Sequence, residues 1–201
     1  MSAEESSSDA SDAVGWYDNH AKSIVERYES LAPEKANAWL EPLLPSQPAL
    51  ALDVGAGSGR DAAWLVSLGH QVIAVEPAEQ MRVRGQRLHA SDKIQWINDR
   101  LPGLESVHRL GLSFDFILLN AVWMHLAPSN RRRAFRKLIT LLKPGGWIAI
   151  SFRQPDPNKR AMFPCHLDEL EQLARIHGSF IERGARRRTT SYPDLESNGH
   201  D

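Results

Sequence analysis

Apolar positions along the chain change their period once, and that change divides it. From Gly15 to Leu44 the residues Tyr17, Ile24, Val25, Tyr28 and Leu31, then Ala36, Trp39 and Leu40, recur at spacings near three and four, as on a helix with one buried face. Pro33 interrupts the run, so two short helices are predicted, and Pro42, Pro45 and Pro48 close the region. From Leu50 onward short β-rich apolar runs alternate with helical stretches, the pattern of a parallel sheet covered by helices. Strands are predicted at Ala49–Val54, Gln71–Val75, Ile94–Ile97, Phe114–Leu119 and Trp147–Phe152. Helices fall between them near Asp61–Leu68, Glu79–Ala90 and Ser129–Leu142. In the last of these Ser129 is the expected N-cap, Ala134, Leu138, Leu141 and Leu142 form the apolar stripe, and Pro144-Gly145-Gly146 is the expected stop. A Pro-rich loop then leads to a helix over His166–His177, and room for a sixth strand opens near Ser179. This order predicts an α/β fold with a doubly wound, mostly parallel sheet flanked by helices.

A length of 201 residues suits one well-buried domain, with 42% hydrophobic and 24% charged residues as in ordinary globular proteins. The expected domain runs over 14–185, with a helical cap at 14–45, between a disordered acidic tail at 1–13 and a polar tail at 186–201. A net charge of -1 gives no bulk attraction to nucleic acid or anionic membrane. The single cysteine, Cys165, has no partner for an internal disulfide, no Cys and His spacing resembles a metal site, and no apolar run spans a bilayer, so a metal-independent cytoplasmic protein is expected.

Chemistry concentrates where the first long strand ends. Ala51-Leu52-Asp53-Val54 runs straight into Gly55-Ala56-Gly57-Ser58-Gly59 and then a helix opened by Arg60-Asp61. Glycines there let the backbone turn sharply and let a ligand approach without a Cβ in the way. Glu76, at the end of the next strand, lies where a carboxylate of a βαβ unit accepts hydrogen bonds from ribose hydroxyls. The spacing is G-x-G-x-G, which differs from the dinucleotide fingerprint, and no triphosphate loop is present. Asp53 beside the glycines would repel a pyrophosphate and suit a ligand carrying an ammonium and a sulfonium.

Asp53-Val54-Gly55-Ala56-Gly57-Ser58-Gly59 resembles the first motif of class I S-adenosylmethionine-dependent methyltransferases, of the methyltransferase-11 and methyltransferase-25 type. The resemblance covers roughly Tyr17 to Phe152, with Glu76, Asn98-Asp99, the strand Phe114 to Leu119 and Leu142-Lys143-Pro144-Gly145-Gly146 in family order. It implies a Rossmann-like fold and S-adenosylmethionine as cofactor, held by Asp53, Gly55, Ala56, Gly57, Gly59, Glu76, Pro77, Met81, Asp99 and Asn120. Gly55 and Gly57 would border the methionine part, Glu76 the ribose and Asp99 the adenine amino group. Methyl transfer to a small-molecule acceptor by in-line displacement follows as the implied activity, with Tyr17, His20 and Trp123 as substrate contacts and His125 as the candidate general base. Trp123 fits core packing equally well, and a helix histidine such as His125 fits a structural role.

Class I enzymes close their sheet with a sixth and a seventh strand, and Thr189 to Asp201 supplies no seventh. Either a partner chain replaces the hairpin, which allows a homodimer, or the sheet keeps an open edge. That departure admits a catalytically inactive, regulatory cofactor-binding protein as the alternative, while a nicotinamide oxidoreductase fits Glu76 but not Asp53 or the glycine spacing. Arg131-Arg132-Arg133 and Arg186-Arg187-Arg188 are assigned to solvated faces, and Asn120 is followed by Ala121-Val122, which lacks the signature of base-flipping adenine methyltransferases, so nucleic acid is not the favoured substrate.

Overall fold

The computed structural model describes residues 13–155, 162–179 and 181. Five parallel strands form the sheet: β1 (Leu50–Val54), β2 (Gln71–Val75), β3 (Ile94–Ile97), β4 (Phe114–Asn120) and β5 (Leu142–Ser151), in the spatial order β3-β2-β1-β4-β5. The order reverses at β1, which pairs with β2 on one side and β4 on the other. Successive side chains on a strand point to opposite faces, and both faces here are apolar, as a parallel sheet clad by helices requires. Leu52, Val54, Ile73, Val75, Ile117 and Leu119 pack on one side with Val107, Phe135, Leu138, Leu170 and Leu173. Ala51, Val72, Ala74, Phe116 and Leu118 pack on the other with Ala62, Trp64, Leu65 and Leu40.

Residues 13–19 are helical and lead into α1 (Ala21–Glu29) and α2 (Pro33–Ala36), with a 3-10 turn at Glu41–Leu43. The connecting helices of the sheet are α3 (Arg60–Ser67), α4 (Glu79–Leu88), α5 (Glu105–Arg109), α6 (Pro128–Thr140) and α7 (Leu167–Ile176). Ala21, Ile24 and Val25 of the cap pack with Ala78 and Met81 at the start of α4. Two polar latches reinforce that seat: Asp18 Oδ1 accepts the Gln80 N–H at 2.7 Å, and His89 Nε2 lies 3.1 Å from Glu29 Oε2.

Three expectations from the sequence are corrected. Ser129 is not the N-cap of α6: Pro128, whose ring presets a helical φ, takes the first position and Ala127 precedes it. Pro144-Gly145-Gly146 does not stop that helix, which ends at Thr140; the tripeptide lies inside β5, whose ladder begins at the Phe114–Leu142 pair and shifts register before Phe116. A Cβ on Gly146 would sit 2.9 Å from the Asp115 carbonyl oxygen, so glycine is what lets the irregular strand close on β4. The third is Arg131, expected on a solvated face: it is 2% exposed, with Nε on the Leu126 carbonyl and Nη1 on Glu169 Oε2. α5 lies in a stretch for which no element was predicted. The expected tails, except Ala13, which begins the first helical stretch, and all but the first residues of the sixth-strand region lie outside the described residues.

Candidate functional site

β1 ends at Val54, and the chain turns at Gly55 with φ +76°; the Gly55 and Ala56 amides both donate to the Val75 carbonyl, at 2.8 and 2.9 Å. A Cβ on Gly55 would meet Val122 Cγ2 at 2.5 Å, so the loops after β1 and β4 close on each other only because this residue is glycine. The Gly57 amide donates to Glu76 Oε2 and the Ala78 amide to Glu76 Oε1, each at 2.8 Å. The carboxylate that ends β2 therefore holds the glycine loop in place. Dehydration in its buried position pushes the Glu76 carboxyl up to about 7, opposed by the hydrogen bonds from Ala78 and Gly57.

Asp53 lies 2% exposed beneath the loop, and its Oδ2 has no hydrogen-bond partner among the described residues. Burial first, then Asp61 and Glu76, raises its carboxyl well above the usual range, with Arg60 opposing. Three carboxyls, Asp53, Asp61 and Glu76, thus gather at the loop against two guanidiniums, Arg60 and Arg82.

A buried network joins the cap to the sheet. Asn37 Nδ2 donates to Asp61 Oδ1 at 2.9 Å, Asn120 Nδ2 donates to Asp61 Oδ2 at 2.7 Å, and the Ser151 hydroxyl donates to Asn120 Oδ1. Arg60 Nε reaches Asp61 Oδ1 at 2.8 Å, and Arg60 Nη1 reaches the Tyr28 carbonyl at 3.2 Å. Asn37, Asp61 and Ser151 were not among the residues singled out in the sequence. Asp61 had a signal, an acidic residue in the first turn after the glycine loop; Asn37 and Ser151 had none, since only the tertiary fold brings them to Asn120.

An open cleft of about 1570 Å³ runs from the carboxyl ends of β1, β2 and β4 along β5, where Ile139, Leu142, Gly146 and Leu170 line it. Of the expected residues, Gly55, Ala56, Gly57, Glu76, Pro77, Asp99, Asn120, Tyr17 and His125 line it. Met81 is fully buried with its Cε 3.7 Å from the Cβ position of Gly57, and Gly59 packs under the Trp96 indole, so both support the loop from behind. Asp99 has a structural duty beside any ligand contact: its Oδ2 accepts the Ser106 and Val107 amides at 2.6 and 3.1 Å, capping α5. His20 stacks on Trp16 and Trp123 is fully buried against Phe135, so neither faces the cleft. Among the described residues no helix is long and apolar enough to cross a membrane, and no group of three or more His, Cys, Asp or Glu could hold a metal ion.

A glycine loop at the reversal point of a parallel sheet, with a carboxylate ending the next strand, is the arrangement of an α/β ligand-binding domain. The family model for the methyltransferase domain of the methyltransferase-11 type matches residues 52–150. An uncharacterized methyltransferase of Alkaliphilus oremlandii is 29% identical over 140 residues, covering 67% of this chain and 57% of that one. The arsenite methyltransferase of Aquipseudomonas alcaligenes is 33% identical over 144 residues, covering 57% of this chain and 41% of that one. The fold matches the crystal structure of Burkholderia thailandensis 1,6-didemethyltoxoflavin-N1-methyltransferase, with bound 1,6-didemethyltoxoflavin and S-adenosylhomocysteine, at a TM-score of 0.65 and 24% identity over 88% of this chain and 79% of that one. The chain spans about half the length of the curated relatives it matches. It belongs to the class I S-adenosylmethionine-dependent methyltransferases.

Proposed function

We propose that the protein binds S-adenosylmethionine in the cleft above the glycine loop and transfers its methyl group to a small-molecule acceptor. The observation that carries this reading is the carboxylate pair at the loop: Glu76 clasping the Gly57 amide, and Asp53 with a buried oxygen left without a partner. A sulfonium amino acid joined to a nucleoside would bring ribose hydroxyls to Glu76, which lines the cleft, and positive charge to the loop beneath which Asp53 is buried without itself lining the cleft.

Gly55, Ala56 and Gly57 would border the methionine part, Glu76 and Pro77 the ribose, and Asp99 the adenine. Bound S-adenosylmethionine supplies an electrophilic methyl carbon, and the reaction is an in-line displacement there. The protein contributes position: the cap helices, latched to α4 through Asp18 and Glu29, wall off one side of the cleft. Orientation of two reactants can supply on the order of 7–11 kcal/mol of the barrier reduction. Relatives named for small acceptors, arsenite and 1,6-didemethyltoxoflavin, support a small molecule as the acceptor class.

Calorimetric titration with S-adenosylmethionine and S-adenosylhomocysteine tests the reading, with Gly57→Arg as control. Gly57 has φ +58° and its Cβ position lies 3.4 Å from the Tyr28 ring, so an arginine strains the loop and fills its approach. Micromolar binding lost in the variant is expected; no binding by the wild-type chain withdraws the assignment.

A further inference from the structure

One contact in the cleft is made by two proton-carrying side chains that the fold brings together from distant points of the chain. The Tyr17 hydroxyl lies 3.3 Å from His125 Nε2, with the rings edge-on and their centroids 5.6 Å apart. Both residues line the cleft. Each is held from behind. Tyr17 precedes Asp18, which is tied to the Gln80 amide, and His125 ends a 3-10 turn whose Trp123 is fully buried. That turn is fixed further by the Phe163 amide on the Met124 carbonyl at 2.7 Å and by buried Arg131, whose Nε donates to the Leu126 carbonyl at 3.1 Å. The turn also follows Val122, whose methyl abuts Gly55, so the pair stands at the glycine-loop end of the cleft.

We propose that Tyr17 and His125 form a proton relay and that the acceptor is therefore a molecule whose nucleophilic atom carries a proton, an N–H heteroaromatic or a phenol. This rests on the cofactor reading given above. The acceptor atom gives its proton to Tyr17 Oη while the Tyr17 proton passes to His125 Nε2. The freed electron pair bonds to the transferred methyl carbon, the carbon–sulfur bond breaks with its electrons left on sulfur as a neutral thioether, and the imidazolium returns its proton to solvent. Tyr17 is a hydroxyl at neutral pH, because burial and the neighbouring Tyr28 raise it, with Glu76 adding to the effect and Arg153 opposing it. A hydroxyl so placed passes a proton on only if a base stands behind it, and His125 does. An acceptor whose nucleophilic atom has a lone pair and bears no proton, such as the arsenic of arsenite or the sulfur of a thiol already ionised, would have no use for the pair.

The test uses the full chain with S-adenosylhomocysteine for spectroscopy and S-adenosylmethionine for turnover. In protein carrying nitrogen-15 histidine, the His125 ring signals, assigned by their loss in His125→Gln, should shift in Tyr17→Phe. With panels of N–H heteroaromatics (uracil, lumazine) and phenols (catechol, 2-naphthol), both variants should lower kcat by about 10²- to 10⁴-fold, the range for general acid–base catalysis, at unchanged calorimetric affinity for S-adenosylmethionine. The relay is overturned if the His125 signals ignore Tyr17→Phe, if both variants keep wild-type turnover, or if thiophenol or arsenite is methylated in preference. It is equally overturned if the wild-type protein binds S-adenosylmethionine and methylates neither panel. Absence of cofactor binding in the same calorimeter is a different failure, that of the cofactor reading itself.

Discussion

Gly85 sits in the interior of α4, where helix propensity and packing make opposite predictions. Alanine is favoured over glycine in a helix interior by about 1 kcal/mol, so Gly85→Ala should stabilise an isolated helix. In the fold, a Cβ there falls 2.5 Å from Trp96 Cη2 and 2.7 Å from the Ser58 carbonyl oxygen. Neither neighbour is the loose end of a flexible chain. Ser58 belongs to the glycine-loop backbone, and the same indole already lies 2.7 Å from the Cβ position of Gly59. Overpacking costs roughly 1–3 kcal/mol, and a clash with backbone belongs at the upper end, which leaves a net loss of about 2 kcal/mol after the propensity gain. For a chain of 201 residues that corresponds to a Tm lower by about 4–8 °C. Urea unfolding followed by circular dichroism reads the stability, and calorimetry reads the displacement of Ser58 as weaker binding of S-adenosylhomocysteine. A variant as stable as the wild type, or more so, would refute the claim that α4 and the glycine loop are in rigid contact.

Glu76 should make stability and cofactor affinity run in opposite directions with pH. With its folded value at about 7 against 4.5 for a free glutamate carboxyl, the ligand-free protein loses about 3 kcal/mol as pH rises from 4.5 through 7, while affinity for S-adenosylhomocysteine rises about tenfold from pH 6 to pH 8; denaturant titrations and calorimetry at those pH values measure the two. Arg131→Leu removes a 2% exposed guanidinium that holds the Leu126 carbonyl and, at 2.6 Å, the partly exposed Glu169; a loss of about 2 kcal/mol is expected in urea unfolding, since a buried carbonyl loses its donor. Trp123→Ala should cost about 4 kcal/mol as a core truncation, with the cofactor affinity of the folded fraction unchanged, whereas a loss of affinity at intact stability would return Trp123 to the cleft.

Much of this architecture was legible because it rests on local pattern. β1, expected at Ala49–Val54, occupies Leu50–Val54, and Gln71–Val75 and Ile94–Ile97 agree residue for residue. Their apolar runs are short and bounded by turn residues, with β1 and β2 buried on both faces and β3 partly covered at the sheet edge, which leaves little freedom in placement. β5 was misjudged at its start because Pro144-Gly145-Gly146 carries a strong local stop signal, while the pairing of Leu142 with Phe114 is a long-range fact. α5 was missed because it offers a single buried apolar residue, Val107, and its cap is Asp99, placed before an intervening turn. In the site, the glycines and Glu76 are written in a known spacing. The Tyr17–His125 contact and the Asn37–Asp61–Asn120–Ser151 network join segments that only the closed sheet makes neighbours.

The same closure explains why this position in the sheet can bind a ligand at all. At β1 the strand order reverses: α3, which follows β1, packs on one face of the sheet and α6, which follows β4, on the other, and the turns at Gly55 and Val122 meet at the carboxyl ends between them. Burying Asp53 and Glu76 there opposes folding, since each carboxyl is driven toward its neutral form. A ligand that brings positive charge to Asp53 and hydroxyl donors to Glu76 reverses that penalty upon binding, because it stabilises the ionised form that the empty fold disfavours. An apolar residue would serve the fold better at Asp53, whose Oδ2 has no partner among the described residues, whereas Glu76 also holds the Gly57 and Ala78 amides. Two carboxyls kept under a glycine loop at a cost to the unliganded protein are therefore evidence of a site shaped by its ligand, and the opposed pH dependences of stability and affinity are its measurable consequence.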